Sequence, residues 1–230
     1  MKQLAVVIPA KDEEATIGEL LDRASRVRVP GRELRLLVVD DGSTDRTAEI
    51  SRQMGALVVS HPENRGLGAA VRTGLCSAVE SGAQEVAYID ADLEYYPEDI
   101  PPLLEPVLSG RADYVLGSRF LGKPLRARGM KLRRRVGNRV FTSLLSLLTG
   151  RRISDGQTGM RAFSREAASR AEIVHDYNYA QVLTLDLLRK GFRMEEVPIR
   201  YRVREHGESF ISWTYPAKVL PAMWRELRSP

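Results

Sequence analysis

The first 120 residues alternate short, continuously apolar runs with stretches whose apolar positions recur at helical spacing. Residues 4–8, 34–39, 56–59, 85–89 and 113–116 read as strands; they are rich in β-branched residues and lack a polar face, as expected of strands covered on both sides. Between them, 14–26, 44–54, 67–81 and 99–108 read as helices, and Ser43 and Asp45 stand where the second helix needs an N-cap. Strand–helix alternation of this kind predicts an α/β fold: a Rossmann-like, mostly parallel sheet flanked by helices on both faces.

Beyond residue 120 the pattern loosens. An amphipathic helix is expected over 136–148, with cations at its start, and another over 179–189, closed by Gly191 as a C′ residue. A strand over 192–197 continues extended through 199–203 past Pro198, and a last helical pattern covers 216–227. No repeat, low-complexity linker or compositional break divides the chain, so one domain over 1–230 is expected.

Charge changes the picture in one place. Between Phe120 and Ile153 stand ten basic residues and no acidic one, although the whole chain carries only +5, so the remainder is net acidic. Such a block reads as a surface for anions: phosphate, nucleic acid or acidic lipid. Over 133–148 a cationic start precedes Val140, Phe141, Leu144, Leu145, Leu147 and Leu148. Two readings stay open: a core-packed helix with a solvated basic end, or a helix lying at a membrane interface. No apolar run approaches the roughly 20 residues of a bilayer span, and no signal-peptide pattern opens the chain. The single cysteine, Cys76, falls in a helical pattern and reads as a small buried hydrophobe. A cytoplasmic enzyme, peripheral at a membrane if bound to one, fits these features.

The chemistry concentrates at strand ends. Asp90 and Asp92 stand one residue apart where the apolar run 85–89 stops. Open α/β sheets bind ligands beyond the carboxyl ends of their strands, and Mg²⁺ or Mn²⁺ is held there by one or two carboxylates plus substrate phosphates. Three further polar loops should meet the same edge: 9–14 after the first strand, 40–45 after the second and 64–70 after the third. His61, His175 and His206 do not cluster, which argues against a histidine metal site. Arg161 is expected to be buried and paired with a carboxylate near the site, and Tyr177 and Tyr179 to pack at a helix start.

These motifs together resemble the family 2 glycosyltransferases of the GT-A fold, and within them the polyprenyl-phosphate (dolichol-phosphate) mannosyl and glucosyl transferases. The resemblance rests on Val-Val-Ile-Pro-Ala-Lys-Asp-Glu-Glu at 6–14, Val-Val-Asp-Asp-Gly-Ser-Thr-Asp at 38–45 and Asn-Arg-Gly-Leu-Gly-Ala-Ala at 64–70. Asp-Ala-Asp-Leu-Glu at 90–94, Gly-Ser-Arg at 117–119, Ser-Asp-Gly-Gln-Thr-Gly-Met-Arg-Ala-Phe at 154–163, Glu-Val-Pro-Ile at 196–199 and the Arg-rich Gly-Glu-Ser segment at 204–209 extend it over nearly the whole chain. It implies a nucleotide-sugar half over 1–119 and an acceptor half over 120–230. In the first half, Pro9, Ala10, Glu13, Asp40, Arg65, Gly66, Ala69 and Ala91 would surround the donor, with Asp90, Asp92 and Glu94 as metal ligands. Arg119 would approach the acceptor phosphate, Arg133 would contribute from the basic block, and Arg202 and Arg204 would belong to a loop closing over the donor. The chain departs from the pattern at Phe210, where these enzymes carry lysine, which would leave Arg202 or Arg204 to substitute.

The implied reaction is inverting, metal-dependent transfer of a hexose from a donor of the GDP-mannose or UDP-glucose type to a polyprenyl phosphate. The alternative acceptor is a hydroxyl of a soluble small molecule. An ionised phosphate attacks without a general base, whereas a hydroxyl needs one; Asp155 is the candidate, with a turn role in its Asp-Gly pair equally open. A sugar-1-phosphate nucleotidyltransferase would need a glycine-rich loop after the first strand, and 9–14 has no glycine. A nucleic-acid binder would rest on the basic block alone, so no nucleic-acid partner is expected.

Overall fold

A computed structural model describes residues 1–121, 130, 132–176 and 179–203, with the side chains of 133 and 134 excepted. Seven strands form one sheet: β1 (Lys2–Ala10), β2 (Arg32–Asp40), β3 (Leu57–Ser60), β4 (Glu85–Ile89), β5 (Tyr114–Ser118), β6 (Met160–Ser164) and β7 (Met194–Pro198), in the order β3-β2-β1-β4-β6-β5-β7. β1 runs parallel to β2 and β4, β2 to β3, and β5 to β7, while β6 is antiparallel to both β4 and β5. All strands but β6 therefore point one way, and the expected mostly parallel α/β sheet is what forms.

Helices α1 (Ile17–Ser25), α2 (Thr47–Gln53), α3 (Leu67–Glu80), α4 (Ile100–Leu108), α5 (Leu132–Thr149), α6 (Arg165–Arg170) and α7 (Ala180–Arg189) cover the sheet. The two-residue period of β1 divides the core. Leu4, Val6 and Ile8 pack with Leu20 and Leu21 of α1 and Leu103 and Leu104 of α4. Ala5 and Val7 face the other way, towards Val71 and Leu75 of α3, Phe141 and Leu145 of α5, and Leu183 and Leu187 of α7. Each fully buried Val or Leu contributes about 1.5–3 kcal/mol, so both layers hold the strand ends in register.

Several local expectations are corrected. β6 and α6 were not anticipated, because Met-Arg-Ala-Phe-Ser is five residues with an arginine in the middle and shows neither period clearly. α1 starts at Ile17 rather than 14, since Thr16 and Ile17 N–H close a turn on the Glu13 carbonyl. Neither Ser43 nor Asp45 is the residue preceding α2, which is Arg46; Asp45 instead accepts from the N–H groups of Glu14 and Thr47. The first half of β2 alternates in burial and the edge strand β3 is partly exposed, unlike strands covered on both faces. Among the described residues past Pro198, only Tyr201 forms a strand bridge, to Tyr95. Cys76 is exposed, with local desolvation and nearby Glu80 holding its thiol above the usual range. The expected C′ role of Gly191 is met at φ 82°, its N–H bonded to the Leu188 carbonyl. The helical pattern at 216–227 lies outside the described residues.

Candidate active site

Because β1–β4 are parallel, their C-terminal ends and the loops that follow share one edge. The first two loops interlock. Asp12 Oδ1 accepts from Thr44 N–H at 2.7 Å, Asp12 N–H donates to Ser43 Oγ at 3.0 Å, and Glu13 N–H donates to Thr47 Oγ1 at 2.8 Å. Ala10 and Asp40 are register partners at the strand tips. Pro9, Ala10, Glu13 and Asp40 are thus brought together and all are buried; Asp40 Oδ1 accepts from Ser43 N–H at 3.0 Å and Glu13 Oε2 from Thr16 Oγ1 at 2.9 Å.

Asp41 joins the third loop to these two, a role no sequence signal singled out. Its carboxylate accepts from the N–H groups of Arg65 (2.9 Å) and Gly66 (2.8 Å) and faces His61 Nδ1 at 2.7 Å, while His61 Nε2 meets Thr73 Oγ1 at 3.0 Å. The two loops pack backbone to backbone: a Cβ on Gly42 would lie 2.5 Å from Glu63 C. Gly66, at φ 93°, opens α3, and Gly68 lies so close to the 175–176 backbone that a Cβ there would sit 1.9 Å from the His175 carbonyl oxygen. The side chain of Arg65 remains exposed and Ala69 is buried in the first turn of α3.

Asp90 follows β4 directly. Its Oδ1 accepts from the Tyr88 hydroxyl, its N–H donates to the Gly159 carbonyl at 3.1 Å, and its Oδ2 occupies the space that a Cβ on Gly159 would take, 1.6 Å away. Burial, reinforced by Glu94 and opposed by Tyr88, Arg161 and Arg119, pushes the Asp90 carboxyl up to about 6. Asp92 Oδ1 accepts from Glu94 N–H at 3.0 Å around Leu93, whose φ of 59° is left-handed and strained for a leucine. Arg202 holds this turn from outside: its N–H donates to the Glu94 carbonyl at 2.9 Å, its Nε to the Leu93 carbonyl, and its Nη2 to Glu19 at 3.2 Å.

The donor set suits a hard divalent cation shared with a substrate. Two carboxylates stand where a strand ends, and burial, which raises the Asp90 carboxyl, disfavours its charged form unless a cation is there to neutralise it. No three His, Cys, Asp or Glu side chains among the described residues form a ready-made cage. Glu94 is buried, with the Tyr201 hydroxyl 3.3 Å from its Oε1. Asp90 and Asp92, with Glu94, are the residues that would hold Mg²⁺ or Mn²⁺ together with substrate diphosphate oxygens.

Arg119, at the end of β5, is only 2% exposed and Asp155 is fully buried. They form a forked pair: Nε reaches Asp155 Oδ2 at 2.6 Å and Nη2 reaches Oδ1 at 2.8 Å. Arg119 N–H adds a third bond to Oδ2 (3.1 Å) and Asn138 Nδ2 a fourth to Oδ1 (2.9 Å). A carboxylate offers about four lone-pair positions, and here every one is engaged. Burial opposes ionisation of Asp155, yet the charge of Arg119 and these bonds outweigh it and hold the carboxyl below its usual range. Tyr95, Phe120 and Tyr201 surround the guanidinium with ring centroids 5.9, 5.7 and 5.5 Å away. Nη1 donates to no described residue. Glu196, from the Glu-Val-Pro-Ile motif, accepts from the N–H groups of Ser154 and Asp155 and anchors the turn beneath this pair.

Arg161 is buried as expected, but its hydrogen bonds go to the carbonyls of Thr158, Ala180 and Gly156 and the hydroxyls of Tyr114 and Thr184, not to a carboxylate. It pairs in register with Tyr88 across β4 and β6, placing its charge behind Asp90. Tyr179 packs edge-on against Tyr88, the packing role expected of it. Arg133 lies in the first turn of α5 but its side chain lies outside the described residues, as do Tyr177, Arg204, His206 and Phe210 entirely. Asn138 was also overlooked, because a lone amide in an amphipathic helix carries no signal of its partner.

Residues 5–171 match the model of the family described as Glycosyl transferase family 2. The chain is 35% identical over 201 residues to a dolichyl-phosphate hexose transferase of Haloferax volcanii, covering 87% of this chain and 83% of that one. It is 30% identical to a polyprenol monophosphomannose synthase of Mycolicibacterium smegmatis, covering 90% and 80%. It spans 52% of another relative, the low-salt glycan biosynthesis hexosyltransferase Agl6 of Haloferax volcanii, at 33% identity. Among solved structures, glucosyl-3-phosphoglycerate synthase from Mycobacterium tuberculosis, crystallised with Mn²⁺, UDP-glucose and phosphoglyceric acid, superposes with a TM-score of 0.78 at 25% identity, covering all of this chain and 81% of that one. Its strand ends, its paired carboxylates and these likenesses agree: the chain is a glycosyltransferase of the GT-A fold and belongs to glycosyl transferase family 2.

Proposed function

We propose that this enzyme transfers a hexose from a nucleotide sugar to a polyprenyl phosphate, in one displacement that inverts the anomeric carbon. The observation that carries the acceptor is the Arg119–Asp155 pair. With all four positions of Asp155 engaged, no general base stands ready there, so the geometry favours an acceptor already ionised near neutral pH. The Nη1 group of Arg119 is the donor that remains to meet its phosphate. Residues 1–119 act as the donor half, with Pro9, Ala10, Glu13 and Asp40 around the nucleoside and the Arg65–Gly66 turn and Ala69 beside it. Residues 120–230 act as the acceptor half. Asp90 and Asp92, with Glu94, would hold a divalent ion, which would supply neutralisation of the charge developing on the departing diphosphate. The relatives named for dolichyl-phosphate and polyprenol acceptors support this reading.

A membrane-surface acceptor also suits α5. Phe141 and Leu145 face the core, while Val140 (61% exposed) and Leu147 (79%) face outwards with Leu132 and Val136, beside exposed Arg135 and Arg139. No helix among the described residues is long and apolar enough to cross a membrane. Leucine and valine flanked by arginine fit the interface of an anionic leaflet, each cation contributing about 1 kcal/mol. Co-sedimentation with phosphatidylglycerol vesicles should fall steeply with salt and in Val140→Asp; binding insensitive to both removes this contact.

The second reading is a soluble phosphorylated acceptor, favoured by the likeness to glucosyl-3-phosphoglycerate synthase. A partition assay separates the two. Radiolabelled hexose should enter the organic phase with polyprenyl phosphate; label confined to the aqueous phase, with transfer to soluble acceptors, reverses the assignment.

A further inference from the structure

α5 turns one side to the exterior and carries two buried polar residues, Asn138 and Thr142, on the other. Phe141 and Leu145 already supply apolar docking on that inner side, so the polar pair needs another reason. Burying an amide is unfavourable unless its hydrogen bonds are replaced, and here they are replaced at the active site.

The donor and acceptor roles leave one arrangement. Thr142 Oγ1 accepts from Gly156 N–H at 3.0 Å, so its single proton goes to Asn138 Oδ1 at 2.9 Å. The amide NH₂ of Asn138 must then point at Asp155 Oδ1, 2.9 Å away. There it fills the last acceptor position of the carboxylate that grips Arg119. The three aromatic rings attract the guanidinium but do not select its rotation about the normal to its own plane. The forked bonds to Asp155 do, and they decide where Nη1 points.

We propose that Asn138 is a positioning residue: from the inner side of α5 it fixes Asp155, and through Asp155 the direction in which Arg119 presents Nη1 to an anionic acceptor. This rests on the reading of Arg119 as the acceptor-phosphate contact. It makes α5 more than a surface helix, because its outer side lies one helix diameter, roughly 10 Å, from the pair proposed to meet the phosphate.

The test compares Asn138→Leu with Phe141→Leu, which weakens the packing of α5 without touching Asp155. Asn138→Leu should raise the KM for polyprenyl phosphate roughly tenfold, the equivalent of one lost hydrogen bond to a charged group, and change the donor KM less than twofold. Phe141→Leu should leave both KM values within twofold at a similar loss of Tm. A second readout needs no substrate: the Arg119 Nε–H resonance, identified by its loss in Arg119→Lys, should exchange with solvent at least about tenfold faster in Asn138→Leu and as in wild type in Phe141→Leu. If Asn138→Leu does not fold, Asn138→Ala, which admits water in place of the amide, carries the same comparison. Unchanged exchange with unchanged acceptor KM, or equal effects of the Asn138 and Phe141 variants, overturns the proposal. If Arg119→Lys itself leaves the acceptor KM unaltered, the acceptor reading falls, and Nε–H exchange still decides whether Asn138 positions the side chain.

Discussion

Replacing Gly159 by alanine inserts one methyl group where Asp90 already is. The new Cβ would lie 1.6 Å from Asp90 Oδ2 and 2.8 Å from Tyr95 Cε2, whereas ordinary contact begins near 3.4 Å. Asp90 must retreat by nearly 2 Å, far more than a rotamer can absorb while its Oδ1 stays on the Tyr88 hydroxyl. Losing that charge-assisted bond costs about 1.5–3 kcal/mol, and the steric strain about 1–3 kcal/mol. Gly159 does not adopt a positive φ, so backbone conformation adds no penalty and the effect is one of space. A total near 4 kcal/mol lowers Tm by about 8–16 °C in a domain of this size. Gly137, inside α5, is the matched control, because a Cβ added there would meet nothing within 4 Å; Gly137→Ala should stabilise by about 0.5–1 kcal/mol. Thermal melts and Mn²⁺ binding followed by electron paramagnetic resonance, with a nucleoside diphosphate present, read both consequences. Gly159→Ala that melts like wild type and binds Mn²⁺ equally well would refute this account of the Asp90 corner.

Asp155→Asn leaves Arg119 buried against a neutral amide and should destabilise by about 3–5 kcal/mol in denaturant titrations, whereas Arg119→Met with Asp155→Leu should recover most of that loss. Since the Asp155 carboxyl is held below its ordinary value, the stability it provides is present above the unfolded-state value of 3.8 and disappears only as pH falls through the lower folded one; melts at pH 5 and pH 8 should therefore show the same difference between wild type and Asp155→Asn. Asp92→Asn, or chelation of divalent ions, should lower kcat by about 10²–10³-fold with Tm little changed, and Mn²⁺ or Mg²⁺ should restore only the chelated wild type. Because burial pushes the Asp90 carboxyl up to about 6, Mn²⁺ must displace a proton below that pH, and its affinity measured by calorimetry should drop about tenfold per pH unit there and level off above it.

Much of the fold could be read from the chain because its signals are local. Continuous apolar runs such as Val6–Val7–Ile8 and Val86–Ala87–Tyr88 can be buried only inside a sheet covered on both sides, and helical spacing between them leaves a mostly parallel α/β order as the compatible arrangement. The motifs at strand ends could be placed on one edge for the same reason. β6 escaped notice because its buried arginine breaks the apolar pattern, and what makes that arginine acceptable is a set of carbonyls and hydroxyls drawn from Thr158, Ala180, Thr184 and Tyr114, remote in sequence. The outward turn of Cys76 and of Val140 likewise depends on which side of a helix meets its neighbour, which periodicity narrows but does not settle.

Residue type and order were enough to determine the parallel part of the sheet, the acidic corner after β4 and the family, since strand formation, carboxylate chemistry and motif spacing are properties of short segments. The partners of those residues were decided in three dimensions. Asp155 looked like a base or a turn former and is a saturated anchor for Arg119; Asp41 looked like part of a turn and ties three loops together; Asn138 carried no signal at all. A hydrogen bond is made across space between groups 17 or 36 positions apart, and only the packed chain brings their lone pairs and protons within 3 Å.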